Sequence, residues 1–265
     1  MQGVDDDSNR RHKRFAGAAS RPGLHARVTL LAGFHLEVSG EEVNLPLGPQ
    51  RVVARLALAG RPSRSATAGQ LWPDQPEERA LNNLRSALHR LERSCPGIVQ
   101  RVGGALTLHP WVWVDVHDLA RWAKAVLSGE DGCMHDPPEG ADTHEELLPG
   151  WYDDWVCLER ERLQQLRIHA LESWAEYLLA ASRYGEALCI AYSVMQMEPL
   201  RESVNRLLIR VHIAEGNVVE ALRRYETFRL MLASELGLEP SAKMIELLRP
   251  LRRTASGRMQ AMTRR

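Results

Sequence analysis

The sequence predicts an α+β N-terminal winged helix followed by an all-α domain of tetratricopeptide-like helical repeats. Two observations lead to this order. Strand-type and helix-type patterns alternate up to about residue 114 and close with two β-rich runs that Gly103 and Gly104 separate, which indicates a tight hairpin. Farther along the chain, the triplet E-A-L recurs at a separation of 34 residues, which is the period of tetratricopeptide helix pairs.

The first half of the chain contains strand signals, three helical patterns and a hairpin, in that order. The run VTLLAGFHLEVSGEEVNLPLG alternates and turns at Ser39-Gly40, as two strands of a hairpin do. The helical patterns PQRVVARLALAG and ATAGQLWPD stop at Gly60 and Pro73, and a third lies between Pro76 and Pro96. The run GIVQRVGGALTLHPWVWVDV then predicts the final hairpin. Strands, three helices and a hairpin are the order of a winged helix.

The second half is helical except for an acidic, Gly/Pro-rich loop over residues 129–149. Beyond this loop, Glu186-Ala187-Leu188 matches Glu220-Ala221-Leu222 at the 34-residue period. The small alanines at the centre of both triplets predict a close approach of neighbouring helices. Stacked helix pairs have a concave face, which we expect to contact RNA polymerase or a second protomer.

Charge is distributed unevenly, although 34 basic and 34 acidic residues give a net charge of zero. Residues 1–27 carry six basic and three acidic side chains, whereas residues 111–150 carry two basic and nine acidic ones. We therefore predict a flexible basic arm (1–26), the winged helix (27–114), the helical domain with its acidic loop (115–253) and a basic tail (254–265). The basic run RRHKR in the arm can add nonspecific affinity for phosphate, or have no role.

Several classes of protein are disfavoured by the sequence. The four cysteines stand singly, which is typical of reduced thiols in a cytoplasm, and no stretch has the length of a membrane span. The loop HDPPEGADTHEE has metal-ligating residue types but no helical pair of histidines. No nucleophile triad stands in a recognisable local context, and no G-x-G-x-x-G follows a strand. We expect a soluble, cytoplasmic, nucleoid-associated protein that is not an enzyme and has no metal or cofactor.

The third helical pattern, PEERALNNLRSALHRLERS, has two chemically distinct faces. Leu81, Leu84, Leu88 and Leu91 form a stripe that must face a core. The other face lacks acids and offers amides, a hydroxyl, an imidazole and cations, from Arg79, Asn82, Asn83, Ser86, His89, Arg90 and Arg93. In a DNA major groove, arginine pairs with guanine and asparagine with adenine. An ordinary solvated helix surface has the same composition, so both interpretations stand at this point.

Two further arginines are candidates for contact with DNA. Arg101 lies in the predicted hairpin, where it can reach the DNA backbone or minor groove, or simply face solvent. Arg51 opens the first helix, within the segment GPQR, where exposed backbone N–H groups can meet a phosphate. A helix start without any ligand explains that segment equally well. Trp72, in LWPD, fits a core position better than a stacking platform.

Several segments together resemble one bacterial family, the Streptomyces antibiotic regulatory proteins. The resemblance covers residues 28–250 and is carried by GPQR, LWPD, PEERALNNLRSALHRL, VDVHDLARW, LLPGWYDDWVCLERERLQQLRIHALE, PLRESVNRLLIRVHIAEGN and EALRRYETFRLMLASELGLEPS. Small members of that family join an OmpR-type winged helix to a bacterial transcriptional activator domain of tetratricopeptide-like helices. Larger members add a nucleotide-binding ATPase domain. The printed sequence lacks a G-x-x-x-x-G-K-[ST] loop, so it resembles the small, ATP-independent form.

The resemblance implies a transcriptional activator that binds double-stranded DNA and RNA polymerase. Family members commonly serve one pathway of secondary metabolism and bind promoter direct repeats, which implies two protomers on DNA. No nucleotide or membrane partner is expected. A tetratricopeptide-like interaction module whose winged helix no longer binds DNA remains the alternative, since residues 28–110 carry only nine basic against seven acidic side chains.

Overall fold

The structure is a computed structural model of the protein, and it describes residues 26–129, 136–138, 140–143 and 145–249. It forms two compact units. The first consists of the chain up to Leu30 and of Phe34–Asp115, and the second of Leu31–Gly33 and the chain from Val116 on. Residues 1–25 of the expected arm, the whole expected tail and part of the acidic loop, with His135 and His144, lie outside the described residues.

The first unit contains the expected strands, three helices and hairpin, in the expected order. Its elements are β1 (Ala26–Thr29), β2 (His35–Val38), β3 (Glu41–Glu42), α1 (Leu47–Ala59), α2 (Arg64–Leu71), α3 (Glu77–Ser94), β4 (Val99–Val102), β5 (Ala105–Leu108) and β6 (Val112–Val114). One sheet has the order β3-β2-β1-β6, in which β1 runs antiparallel to β2 and parallel to β6. The other sheet is the β4-β5 hairpin.

Both hairpin turns lie where the sequence predicts them. Ser39 and Gly40 have φ angles of 53° and 87°, and Gly103 and Gly104 have φ angles of 59° and 82°. Two consecutive positive φ angles are the type I′ geometry, whose twist matches that of the flanking antiparallel strands. The short turn at Gly103-Gly104 places Arg101 opposite Leu106 in the hairpin register.

Burial alternates along the four-stranded sheet, as expected when one of its faces is covered. Ala26 and Val28 on β1 and Val112 and Val114 on β6 are buried. Arg27 lies on the opposite face, with its guanidinium 4.4 Å from the ring centre of Trp113. The largest fully buried side chains of this unit come from strands, helices and hairpin alike: Leu30, Leu36, Leu56, Leu71, Leu84, Leu91, Ile98 and Leu106.

The second unit is helical over most of its described length. Its helices are α4 (Asp115–Ser128, of which Asp115 belongs to the first unit), α5 (Asp154–Ala180), α6 (Tyr184–Met197), α7 (Glu202–Ala214) and α8 (Val218–Leu236), and residues 242–249 are also helical. The starts of α6 and α8 are 34 residues apart, as the repeat predicts. Helix α8 ends at Gly237, which has a left-handed φ of 66°. Among the described residues, no helix is long and apolar enough to cross a membrane.

The alanines of the E-A-L triplets lie in the core of this unit. Ala187 and Ala221 are both fully buried. Ala221 belongs to a cluster with Ile209 of α7 and with Met244 and Leu248 of the last helical segment. Because α7, α8 and residues 242–249 converge there, a small side chain allows the helices to approach closely.

The Ala221→Leu variant should therefore be less stable than the parent protein. Three added heavy atoms in this cluster should lower the free energy of unfolding by about 1–3 kcal/mol, because they force neighbouring side chains apart. Urea denaturation followed by circular dichroism measures this loss. Ala233→Leu is the matched control, since Ala233 is exposed on the same helix, and it should shift stability by at most about 0.5 kcal/mol. Equal effects of the two changes would contradict the placement of Ala221.

Candidate nucleic-acid interface

The rotation of α3 about its axis is set by four buried side chains. Ala80, Leu84, Ala87 and Leu91 are at most 4% exposed and recur at spacings of four, three and four. Leu81 and Leu88, which the sequence analysis placed in the stripe, are only half-buried. The expectation of an all-leucine stripe was therefore wrong in part.

The physical reason for this shift is the close packing of α3 against α1. An added Cβ at Gly48 would lie 3.9 Å from the Cβ of Ala87, so the two helices nearly touch at that point. Leucine at position 87 would not fit in that space, whereas alanine allows the approach. Ala87 therefore lies in the buried stripe together with Ala80, Leu84 and Leu91, and Leu81 and Leu88 lie at the border of the core.

The corrected stripe changes which side chains of α3 turn fully outward. At about 100° per residue, Asn82, His89 and Arg93 lie nearly opposite the centre of the buried stripe. Asn83 and Arg90, although exposed, lie closer to its flank. Arg85 and Glu78 are also exposed and turn outward.

The expected DNA-contacting side chains of α3 are exposed and have no partner within the described part of the chain. They are Arg79, Asn82, Asn83, Ser86, His89, Arg90 and Arg93, and none forms a hydrogen bond or ion pair there. The helices of the second unit behave differently. Three of their arginines pair with glutamates three residues away, at 2.7 Å in Arg162–Glu159, 2.8 Å in Arg223–Glu220 and 2.6 Å in Arg229–Glu226.

A cleft of about 390 Å³ separates α3 from the β4-β5 hairpin. It brings together His89 and Arg101, two of the residues that the sequence analysis selected. The remaining side chains that line it are Arg64, Arg85, Leu88, Leu91, Glu92, Val99 and Leu106. The carboxylate of Glu92 accepts the backbone N–H of Gly97 at 3.3 Å.

Two arginines that line this cleft, Arg64 and Arg85, were not among the candidates selected from the sequence. Arg64 is the first residue of α2, after the N-cap Ser63, whose hydroxyl accepts the N–H of Ala66. Partial burial lowers the pKa of the Arg64 guanidinium, and the nearby positive charges of Arg101 and Arg85 lower it further. No local pattern indicates Arg64, because only the folded chain places it beside α3 and the hairpin.

Arg51 and Trp72 occupy different surroundings. Arg51 lies in the first turns of α1, is half-buried, and does not line the cleft. Trp72, which the sequence favoured as a core residue over a stacking platform, is half-buried at the C-cap of α2. The exposed polar surface is thus built mainly by α3 and the hairpin.

Similar proteins fall within one group of regulators. Residues 138–252 match the family described as "Bacterial transcriptional activator domain". The chain is 30% identical over 217 residues to the regulatory protein AfsR of Streptomyces coelicolor, an alignment that covers 75% of this chain. It is 26% identical over 260 residues to the transcriptional regulator RedD of the same organism, covering 86% of this chain and 74% of RedD. These matches support a transcriptional regulator of the Streptomyces antibiotic regulatory protein type.

The extent of these similarities differs between relatives. The chain spans only 21% of AfsR of S. coelicolor and 23% of AfsR of Streptomyces griseus. The structure of EmbR from Mycobacterium tuberculosis superposes with a TM-score of 0.61 at 17% identity, over 87% of this chain and 65% of EmbR. The chain therefore shares its fold with EmbR over the superposed part.

The two faces of α3 should respond differently to mutation. Leu84→Ala should lower the free energy of unfolding by about 2–5 kcal/mol, because it removes a fully buried side chain and leaves a cavity. Asn82→Ala should change stability by no more than about 0.5 kcal/mol, because the side-chain amide is exposed and makes no hydrogen bond within the described chain. Chemical denaturation of both variants measures the difference. A large loss for Asn82→Ala would show that this side chain supports the fold.

Proposed function

We propose that this protein is a sequence-specific DNA-binding transcriptional activator, whose first unit is a winged helix that places α3 in the major groove. The observation that carries this proposal is the outward face of α3. It presents amides, a hydroxyl, an imidazole and arginines, all exposed and unpaired within the described residues. These groups match the donor and acceptor patterns of base edges and phosphates.

The contrast with the second unit supports this assignment of α3. A helix that needs only to be solvated gains from pairs of opposite charge three or four residues apart, and α5 and α8 contain such pairs. Helix α3 carries Glu77, Glu78 and Glu92, yet no described ion pair joins them to a cation. Its arginines are therefore available to an external anion.

The second unit supplies the surface for other proteins in this proposal. We propose that its tetratricopeptide-like helix pairs contact RNA polymerase or a second protomer, and that two protomers bind promoter direct repeats. The similarity to this family favours the genes of a single pathway of secondary metabolism as the target of regulation. The proposed location of the protein is the nucleoid in the cytoplasm. The proposed domain bounds are 27–114 and 115–253, with the basic segments 1–26 and 254–265 on either side of them in the sequence.

An interaction module without DNA binding is the competing function. It is favoured by the small excess of nine basic over seven acidic side chains in residues 28–110. A gel shift on DNA that flanks the gene, repeated over a salt titration, separates the two functions. A specific complex whose affinity falls with salt supports the activator, while equal and weak binding to all duplexes favours the module. Footprinting of neighbouring promoters then identifies the site.

Replacement of side chains opposite the buried stripe should weaken specific binding without unfolding the protein. If Asn82 or His89 makes a base contact, its replacement by alanine should cost about 1–3 kcal/mol of binding free energy and relax preference at one base pair. Fluorescence anisotropy with the footprinted duplex and single-base variants measures both effects.

Arg223→Ala is the control for this experiment, since Arg223 is exposed on α8 in the second unit. It should bind the same duplex like the parent protein. If Asn82→Ala, His89→Ala and Arg93→Ala all bind like the parent while remaining folded, α3 is an ordinary solvated surface. The activator would then lose its main support.

A further inference from the structure

The cleft between α3 and the hairpin gathers positive charge from three separate elements. Arg64 comes from α2, Arg85 from α3 and Arg101 from β4. The side chain of none of the three has an ion pair or hydrogen bond within the described part of the chain. The other titratable groups that line the cleft are Glu92 and His89, so the positive charges outnumber the negative one.

This arrangement has an electrostatic cost in the protein alone. Partial burial and the charges of Arg101 and Arg85 both lower the pKa of Arg64, because they disfavour its protonated form. Three guanidinium groups that are held near one another, with only the Glu92 carboxylate in the same cleft, gain stability when an anion enters. The cleft is open and, at about 390 Å³, far larger than the roughly 30 Å³ that a water molecule occupies.

The position of the cleft indicates which anion fits. An α-helix with its side chains is about 10–12 Å wide, and the major groove is about 12 Å wide, so a helix in the groove has a phosphate backbone along each side. His89 lies on the outward face of α3 and also lines the cleft. A duplex docked against this face would therefore bring a phosphate of one strand to the cleft.

We infer that Arg64, Arg85 and Arg101 together bind a single phosphate group, where the hairpin meets α3. The guanidinium plane presents several N–H donors to phosphate oxygens, which suits this task better than the point charge of lysine. That this phosphate belongs to the DNA backbone rests on the proposed function. Free inorganic phosphate has the same oxyanion chemistry, and the experiments below distinguish the two sources.

A salt titration of DNA affinity tests whether the three arginines share one phosphate. The parent protein and a triple variant (Arg64→Gln, Arg85→Gln, Arg101→Gln) are compared on the same duplex. Each phosphate contact contributes about 0.9 to the slope of log affinity against log salt. The triple variant should therefore lose about one unit of slope, and bind at least about tenfold more weakly. A loss of about three units would mean three separate phosphates, and no loss would mean that the cleft does not touch DNA; either result overturns the inference.

Two controls separate this site from a general effect of charge. A triple variant of the second unit (Arg162→Gln, Arg223→Gln, Arg229→Gln) has the same change in charge and should keep the parent slope. Arg27→Gln, on the sheet face away from the core, should keep it as well. If these controls lose as much slope as the cleft variant, the effect belongs to net charge and the inference fails.

The thermal midpoint of the free protein gives an independent measurement. Without DNA, the cleft variant should unfold at the same temperature as the parent or at a higher one, because mutual repulsion is removed. A clearly lower midpoint would indicate a structural role and overturn the inference.

Inorganic phosphate, compared with chloride at equal ionic strength, identifies the source of the bound group. If phosphate raises the thermal midpoint of the parent in a saturable way, and does not raise that of the cleft variant, free phosphate is a ligand of the cleft. If the cleft variant loses slope of log DNA affinity against log salt but phosphate does not raise the parent's midpoint, the bound group is a phosphate of the DNA backbone. If the parent binds no promoter DNA but shows the phosphate effect, the site stands and the proposed function fails. If neither effect depends on the arginines, the site itself is refuted.

Discussion

The proposed interface depends on the burial of Ala80, Leu84, Ala87 and Leu91 along α3. This stripe sets the rotation of the helix, and the rotation decides which polar side chains reach solvent. The close approach of Gly48 and Ala87 brings α1 so near that a small residue is needed at position 87. The outward positions of Asn82, His89 and Arg93 follow from this packing, because a rotation of about half a residue step would carry other side chains to the outside.

Charges are used in opposite ways in the two units. In the second unit, arginines and glutamates on the same helix neutralise one another, as in Arg162–Glu159 and Arg223–Glu220. On the α3 and hairpin surface, arginines from three elements stand together without described acidic partners. Surface ion pairs contribute little to stability, so their absence costs the fold little. It leaves the first unit with cations that are free to bind an anion.

Local signals predicted the elements of the first unit because its turns and helix ends rest on residues with strong backbone preferences. Gly60 ends α1 with a positive φ, and the pairs Ser39-Gly40 and Gly103-Gly104 form tight turns. The sequence also selected α3 and Arg101 for the candidate site. It missed Arg64 and Arg85 because their importance comes from contacts between α2, α3 and the hairpin, which spacing along one helix does not reveal.

The sequence by itself determined the order of the elements, the 34-residue offset between α6 and α8, and the family that the chain resembles. These properties follow from local backbone preferences and hydrophobic periodicity, which depend on residues that are close together in the sequence. Only the tertiary structure decided that alanines, rather than Leu81 and Leu88, occupy the centre of the α3 stripe, and that three arginines share one cleft. Both outcomes depend on how closely separate elements approach, and that distance is set by packing between residues far apart in the sequence.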